Sequence, residues 1–242
     1  MLKFLSYNIQ AGIGTLNARN YVSGLHRQFI PDGRKSKTLK NIADFIRHYD
    51  IVCLQEVDLG GLRSGYLDQA HFLQKTAEFP HLVSQINRRI GRLSVHGNII
   101  LSKKPITHHT DYKLPGTVAG RGLLVAEIGM RNPIIVANTH FSLGDKSQAQ
   151  QFAYVQNILG QEDRVILAGD FNCTHDSKVL KDFDAGSDLD LVTERHHFAF
   201  PAWNPSRAID HIFISKSFGP RTCEVGNVRY SDHLPLDLRL NI

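Results

Sequence analysis

The run Val165-Ile166-Leu167-Ala168-Gly169-Asp170-Phe171-Asn172 decides how the chain is read. An apolar segment ending in glycine and then a carboxylate describes a buried strand that delivers Asp170 and Asn172 to its tip. A strand buried on both faces needs its apolar residues but not the charge that follows them. Asp170 and Asn172, two residues apart, fall on one side of an extended chain. The competing reading is a strand-to-helix turn, with Asp or Asn capping a helix over Thr174 to Lys181. Recurrence of the same layout elsewhere separates the two.

It does recur. Lys3 to Ile9 alternates as a strand and carries Asn8 at its end; Ile51 to Leu54 is an apolar strand closed by Gln55 and Glu56; Ile134 to Asn138 leads into Thr139 and His140. Two later runs carry their polar residues at the start instead: Asp210 at the head of Ile209 to Ile214, and Asp232-His233 just before the last strand. For all of these to share one rim, the last two strands must run antiparallel to the others, which predicts mixed sheets. The rim then gathers carboxylates, amides and two imidazoles. Such oxygen-rich donors suit a hard cation, Mg²⁺ or Mn²⁺, and no HxxxH or Cys/His cluster argues for structural zinc. A cleft of this kind can hydrolyse a phosphate ester: a metal offsets phosphoryl charge, a carboxylate orients or deprotonates water, and imidazoles and amides stabilise the transition state. Singly, each residue has a plainer reading: His140 as a satisfied core histidine, Glu56 as a helix cap, Asp210 as a turn residue.

Between these runs, residues 10–36 show no period and are rich in Gly, Asn and Arg, which marks a long functional or poorly ordered loop. Helical spacing covers Lys37 to Tyr49, about Asp68 to Ala77, and Ser147 to Leu159. Further strands are expected at His81 to Gln85, Gly97 to Leu101, Ile106 to Lys113 and Leu123 to Ile128. No sequence repeat, low-complexity tract or linker divides residues 1–242, so a single domain is expected, and 242 residues can bury a sizeable core. The net charge of +5 favours anionic partners. Basic residues cluster at Arg19, Arg27, Arg34, Lys35, Lys37 and Lys40 and again at Arg88, Arg89 and Arg92; solvated surface is the ordinary reading of such clusters. Cys53, Cys173 and Cys223 form no CxxC pair. With no apolar run approaching the ~18 residues of a membrane span and no leader pattern after Met1, the expectation is a cytoplasmic protein in a reducing compartment.

The motif set Ser6-Tyr7-Asn8, Leu54-Gln55-Glu56-Val57-Asp58, Thr139-His140-Phe141, Gly169-Asp170-Phe171-Asn172, Ile209-Asp210-His211-Ile212 and Ser231-Asp232-His233-Leu234-Pro235 resembles the endonuclease/exonuclease/phosphatase superfamily, in order and over nearly the whole chain. That group includes DNase I, exonuclease III, neutral sphingomyelinases and inositol 5-phosphatases. The resemblance implies an α/β fold, a four-layer α/β sandwich of two mixed β-sheets packed face to face with helices outside. It implies a Mg²⁺-dependent phosphoester hydrolase in which Glu56, Asn8 and Asp232 hold the metal. Asp170 would position or deprotonate water with Asn172 beside it, His140 would bind a phosphoryl oxygen, and Asp210 would orient His233. Leu54 to Asp58 continuing to Arg63-Ser64-Gly65, together with His96-Gly97-Asn98 and Arg121-Gly122, resembles a subgroup of small bacterial members. Arg63, Asn98 and Arg121 are the substrate-binding candidates there, and a strand-end amide or an exposed arginine is the plainer reading of each.

The substrate is less legible. Tyr7-Asn8-Ile9-Gln10 and Val57-Asp58 after Glu56 depart from the motifs of exonuclease III and the abasic-site endonucleases. A soluble phosphoester or phospholipid headgroup is therefore favoured over DNA. The alternatives are a nuclease using its basic loops on nucleic acid and a catalytically inactive phosphate-binding module. Phe198, Phe200 and Trp203 would stack a base or touch a lipid tail, or else pack around the proline turns. No protein partner is indicated.

Overall fold

The computed structural model describes residues 1–14, 33–219 and 221–242. Most of the 10–36 loop, with Arg19 and Arg27, lies outside the described residues. The strands are β1 (Leu2–Asn8), β2 (Ile51–Asp58), β3 (His81–Ile90), β4 (Ser94–Ser102), β5 (Ile106–Lys113), β6 (Gly122–Ile128), β7 (Ile134–His140), β8 (Val165–Asp170), β9 (Leu189–Leu191), β10 (Asp210–Ser215), β11 (Arg221–Val225) and β12 (Leu236–Leu240). The α-helices among the described residues are α1 (Gly33–Ile46), α2 (Gln69–Thr76), α3 (Asp145–Leu159) and α4 (Lys178–Gly186).

Two six-stranded sheets form, ordered β11-β12-β1-β2-β4-β3 and β5-β6-β7-β8-β10-β9. Each has one parallel pair at its centre, β1 with β2 and β7 with β8, and antiparallel pairs elsewhere. The mixed sheets expected from strand-end polarity are thus present, with β10 and β12 reversed against β8 and β1. The two sheets repeat the same pairing pattern, although no repeat is visible in the sequence.

Period-two alternation builds the layers. Phe4, Ile51, Cys53, Val136, Ile166, Ala168, Ile212 and Leu238 point between the sheets and form the central core. Leu5, Tyr7, Val52 and Leu54 face the other way, onto Leu39, Ile42 and Ile46 of α1 and Leu73 of α2. Ala137, Leu167 and Phe213 meet Phe152 and Val155 of α3 and Phe183 of α4. The result is the four-layer sandwich, helices outside. Among these helices none is long and apolar enough to cross a membrane.

Boundaries shift where apolar periodicity was silent. Helix α1 begins at Gly33, not Lys37, because its first turn, Gly-Arg-Lys-Ser, is polar. Strand β3 runs five residues past Gln85, to Ile90, through the charged edge residues Arg88 and Arg89. The cap reading of the opening stretch fails: α4 starts at Lys178 with Ser177 at its N-cap, well beyond Asp170 and Asn172.

Candidate active site

The alternation that fills the core also delivers the site. On β1 the inward series Phe4, Ser6 continues to Asn8; on β7, Val136 and Asn138 lead to His140; on β8, Ile166 and Ala168 lead to Asp170; on β10, Asp210 heads the series Ile212, Ile214. Register then aligns them, since His140 lies opposite Asp170 and Asp170 opposite Asp210. Gly169 makes this row possible. A Cβ there would sit 1.9 Å from the Thr139 carbonyl oxygen on the neighbouring strand, and its φ of +152° suits glycine.

Glu56 arrives differently. Strict alternation would send it outward with Val52 and Leu54, but the β2–β4 register shifts between Leu54 and Val57, and Glu56 takes a φ of +56°. The bulge re-aims its carboxylate toward the rim, where Oε1 lies 3.4 Å from Asn8 Nδ2 and 3.9 Å from His140 Nδ1. Behind the bulge, the Asn138 side chain crosses from the opposite sheet. Its Nδ2 donates to the Leu54 and Ile99 carbonyls at 3.0 and 2.8 Å, and its Oδ1 accepts from Gln55 Nε2 at 2.7 Å.

Asp170 is the convergence point. Its Oδ2 accepts from Asn8 Nδ2 at 3.2 Å and lies 3.4 Å from His140 Nε2 and 3.7 Å from His233 Nε2; its Oδ1 accepts the Asn172 backbone N–H at 3.0 Å. His233 donates from Nδ1 to Asp210 Oδ2 at 2.8 Å, which fixes the ring. Asn172 turns its Nδ2 to the Phe141 carbonyl at 3.0 Å. Asp232, in the loop before β12, accepts from Gln10 Nε2 at 2.8 Å and from Ser231 Oγ at 3.1 Å.

Burial sets the electrostatics. It opposes charging of His233, yet Asp210, Asp170 and Asp232 together raise that imidazole to about 10, so it is an imidazolium at neutral pH. Burial, with Arg121 and His233 nearby, drives His140 well below its ordinary value and keeps it neutral. Burial also raises Asp170 and Asp232, with neighbouring carboxylates adding to the rise, against the lowering effect of His233. Carboxylates crowded this closely are short of positive charge. Their oxygen donors, with the Asn8 amide, have the chemistry a hard divalent cation takes. The group Asp170, Asp210 and His233, with ligand atoms within 4.8 Å of one another, is a second possible seat. There, however, His233 Nδ1 is already committed to Asp210.

The other candidates separate. Arg121 is largely buried beside Asp170 and Glu56 in a cavity wall, and Asn98 lines the same cavity. Arg63 does not reach out for an anion. Its guanidinium is buried against the Asp58 carboxylate, with Nη2 3.1 Å from His96 Nδ1. Two contributors escaped the sequence reading, Gln10 on Asp232 and the Gln55–Asn138 bridge, while Phe200, already singled out in the sequence, has its ring 4.8 Å from that of His233. The aromatic loop is therefore built around the site, its Ala202 N–H bonding the Asp232 carbonyl at 2.7 Å.

Comparison with known proteins places the chain in a family. The family model described as Endonuclease/Exonuclease/phosphatase family matches residues 5–233. The uncharacterized protein YbhP of Escherichia coli K12 is 28% identical over 260 residues, covering 94% of this chain and 95% of its own. A mannosyl-6-phosphatase from Bacteroides thetaiotaomicron superposes with a TM-score of 0.78 at 19% identity over 100% of both chains. Sphingomyelinase C from Streptomyces griseocarneus gives 0.71 at 17% identity, over 100% of this chain and 99% of its own. The match spanning all of the rim residues from Asn8 to His233 leads to one conclusion: the chain belongs to the endonuclease/exonuclease/phosphatase family.

Proposed function

We propose that this protein is a Mg²⁺-dependent phosphoester hydrolase acting on a soluble phosphoester or phospholipid headgroup. The observation that carries the reading is the convergence of Asn8, His140 and His233 on one carboxylate oxygen of Asp170, with Asp210 bracing His233 from behind. Family membership, and solved relatives of this fold that include a phosphatase and a sphingomyelinase, support it.

Glu56, Asn8 and Asp232 would hold the ion, with Mn²⁺ an acceptable substitute. When bound, it supplies Lewis-acid stabilisation of phosphoryl and leaving-group oxygens. Asp170, the carboxylate with raised proton affinity, orients the attacking water and accepts its proton. Asn8 and the Asn172 backbone N–H hold that carboxylate in place. His233, charged and fixed by Asp210, stabilises negative charge on the phosphoryl group, and neutral His140 donates a hydrogen bond from the opposite side. Arg121 adds a cation beside the phosphate seat.

The test is initial rates for wild type and Asp170→Ala with Mg²⁺ or EDTA. The panel would hold bis-p-nitrophenyl phosphate, p-nitrophenyl phosphate, sphingomyelin, an inositol phosphate and duplex DNA. A rate that needs both Mg²⁺ and Asp170 supports the reading; a folded protein with no such rate on any ester refutes it. One observation favours a second reading, a nuclease: Arg88, Arg89 and Arg92 are exposed on the β3–β4 hairpin beside the site. That reading requires DNA cleavage that collapses with rising salt.

A further inference from the structure

His96 and Asn98, two residues apart on β4, fall on one face of the strand and line a cavity of about 160 Å³. Glu56 and His140 belong to the same walls, so the cavity adjoins the row of rim residues. What holds the His96 ring begins at Asp58, its neighbour across the β2–β4 pair. That buried carboxylate accepts the Gly60 and Gly61 N–H groups through Oδ1 at 3.1 and 2.8 Å, and the Arg63 Nε–H through Oδ2. The same guanidinium reaches His96 Nδ1 with Nη2, at 3.1 Å. A guanidinium only donates, so Nδ1 is the lone-pair acceptor and the proton of the neutral ring sits on Nε2. Burial, with Arg63 adding to it, lowers His96 to about 4 and keeps the ring neutral at pH 7.

Among the described residues no protein group takes that proton: Nε2 has no hydrogen-bond partner, and unlike the Asn98 Oδ1 beside it, it is not sealed from solvent. Arg63 covers the Nδ1 edge of the ring and is not part of the cavity wall, which leaves the Nε2 edge to the cavity. The ring also lies within electrostatic reach of Glu56 and His140. The remaining walls decide what the donor meets. Arg88 and Arg121 flank the cavity, and Glu56 is the only carboxylate among the described lining residues. Two guanidinium groups and a free imidazole N–H favour an oxygen that carries negative charge.

Resting on the hydrolase reading above, we propose that His96 is a further substrate-binding residue whose Nε2–H donates to a phosphoester oxygen, with Arg63 the positioning residue that fixes the donating tautomer. His96 is braced by Asp58 through Arg63, as His233 is braced by Asp210, but with the opposite polarity at Nδ1. Asp210 accepts from His233, whereas Arg63 donates to His96. A ring that served only to close off Arg63 would need an acceptor at Nδ1 and nothing at Nε2.

The test separates those two demands. Asparagine at position 96 offers Arg63 an acceptor near the place of Nδ1 but no donor at Nε2, while glutamine carries an N–H out to the Nε2 position. Initial rates on bis-p-nitrophenyl phosphate with Mg²⁺ are compared for wild type, His96→Asn and His96→Gln. The expected kcat/KM is at least ~10-fold lower in His96→Asn, the scale of one hydrogen bond to a charged oxygen, and within ~3-fold of wild type in His96→Gln. In parallel, ¹⁵N-histidine NMR of the Asp170→Asn protein with Mg²⁺ reads the ring directly. Its proton is expected on Nε2, and the Nε2 resonance is expected to move on addition of phenyl phosphate. This measurement needs neither turnover nor a variant at position 96, so it decides the matter if His96→Asn does not fold. A ring protonated on Nδ1, an Nε2 resonance unmoved by phenyl phosphate, an unchanged rate in His96→Asn, or a glutamine variant as slow as the asparagine one would each overturn the proposal. A response at Nε2 without turnover of any ester would remove the hydrolase reading and keep the donor; turnover indifferent to His96→Asn would do the reverse.

Discussion

Asn138 ties the two sheets together directly beneath the row of rim residues, and replacing it by alanine is the most informative single perturbation of the fold. The side chain is fully buried and makes three hydrogen bonds, at 2.7, 3.0 and 2.8 Å, to Gln55 Nε2 and the Leu54 and Ile99 carbonyls. No other side chain is bonded to those two carbonyls among the described residues. At ~1–1.5 kcal/mol for each buried hydrogen bond, Asn138→Ala should cost about 3–5 kcal/mol. That is a large fraction of the ~5–15 kcal/mol by which a domain is stable. Urea denaturation followed by circular dichroism reads this as a lower midpoint at unchanged slope. Asn138→Asp sharpens the argument. At pH 8 it keeps the acceptor for Gln55 but turns both donated bonds into carboxylate facing carbonyl, so it should be no more stable than alanine. Because Gln55 and Asn138 precede Glu56 and His140 by one and two residues, turnover should fall beyond what the unfolded fraction explains. A loss under about 1 kcal/mol, or an aspartate variant as stable as wild type, would refute the bridging role.

Three further outcomes are expected. His140→Ala and His233→Ala should each lower turnover of the best ester by more than ~100-fold, the scale of losing a charge-stabilising or acid–base group; near-normal rates would take that histidine out of the site. Glu56→Gln should raise the Mg²⁺ concentration needed for half-maximal rate while leaving the fold intact, and an unshifted metal titration would remove Glu56 as a ligand. His211 should make stability acid-sensitive: burial lowers it to about 3, with Nε2–H donating to the Cys173 carbonyl and Nδ1 accepting from Thr193. Since its folded value lies below the unfolded one, the unfolded chain binds more protons below the ordinary value, so stability is present above ~6.5 and lost as pH falls toward 3, up to about 2 kcal/mol by pH 5. His211→Gln, which can keep both bonds, should flatten the urea midpoint between pH 7 and 5, and an unchanged slope would count against it.

The fold was legible because its strands obey a simple rule: apolar until the rim, polar at it. That rule located Asn8, His140, Asp170, Asp210 and the Asp232-His233 pair, and it required the reversal of β10 and β12 that the sheets display. It was silent where polarity is not at a strand end. Gln55 and Asn138 sit inside strands, and a buried polar residue in a strand leaves no periodic trace unless its partner on the other sheet is known. Short or charged edges such as β9, β11 and the end of β3 lack the apolar alternation that marks a strand. Arg63 shows the same blindness in charge. An arginine in a glycine-rich loop after Glu56 looks free to grip an anion, yet Asp58, five residues earlier, already bonds the Gly60 and Gly61 N–H groups at 3.1 and 2.8 Å and takes the guanidinium as well. Removing the charge of Arg63 would leave Asp58 a buried, unpaired carboxylate, so the loop that follows Glu56 needs both. Arg63 thus shapes the loop, and the cation beside the rim carboxylates is Arg121, whose neighbours Glu56 and Asp170 come from other strands entirely.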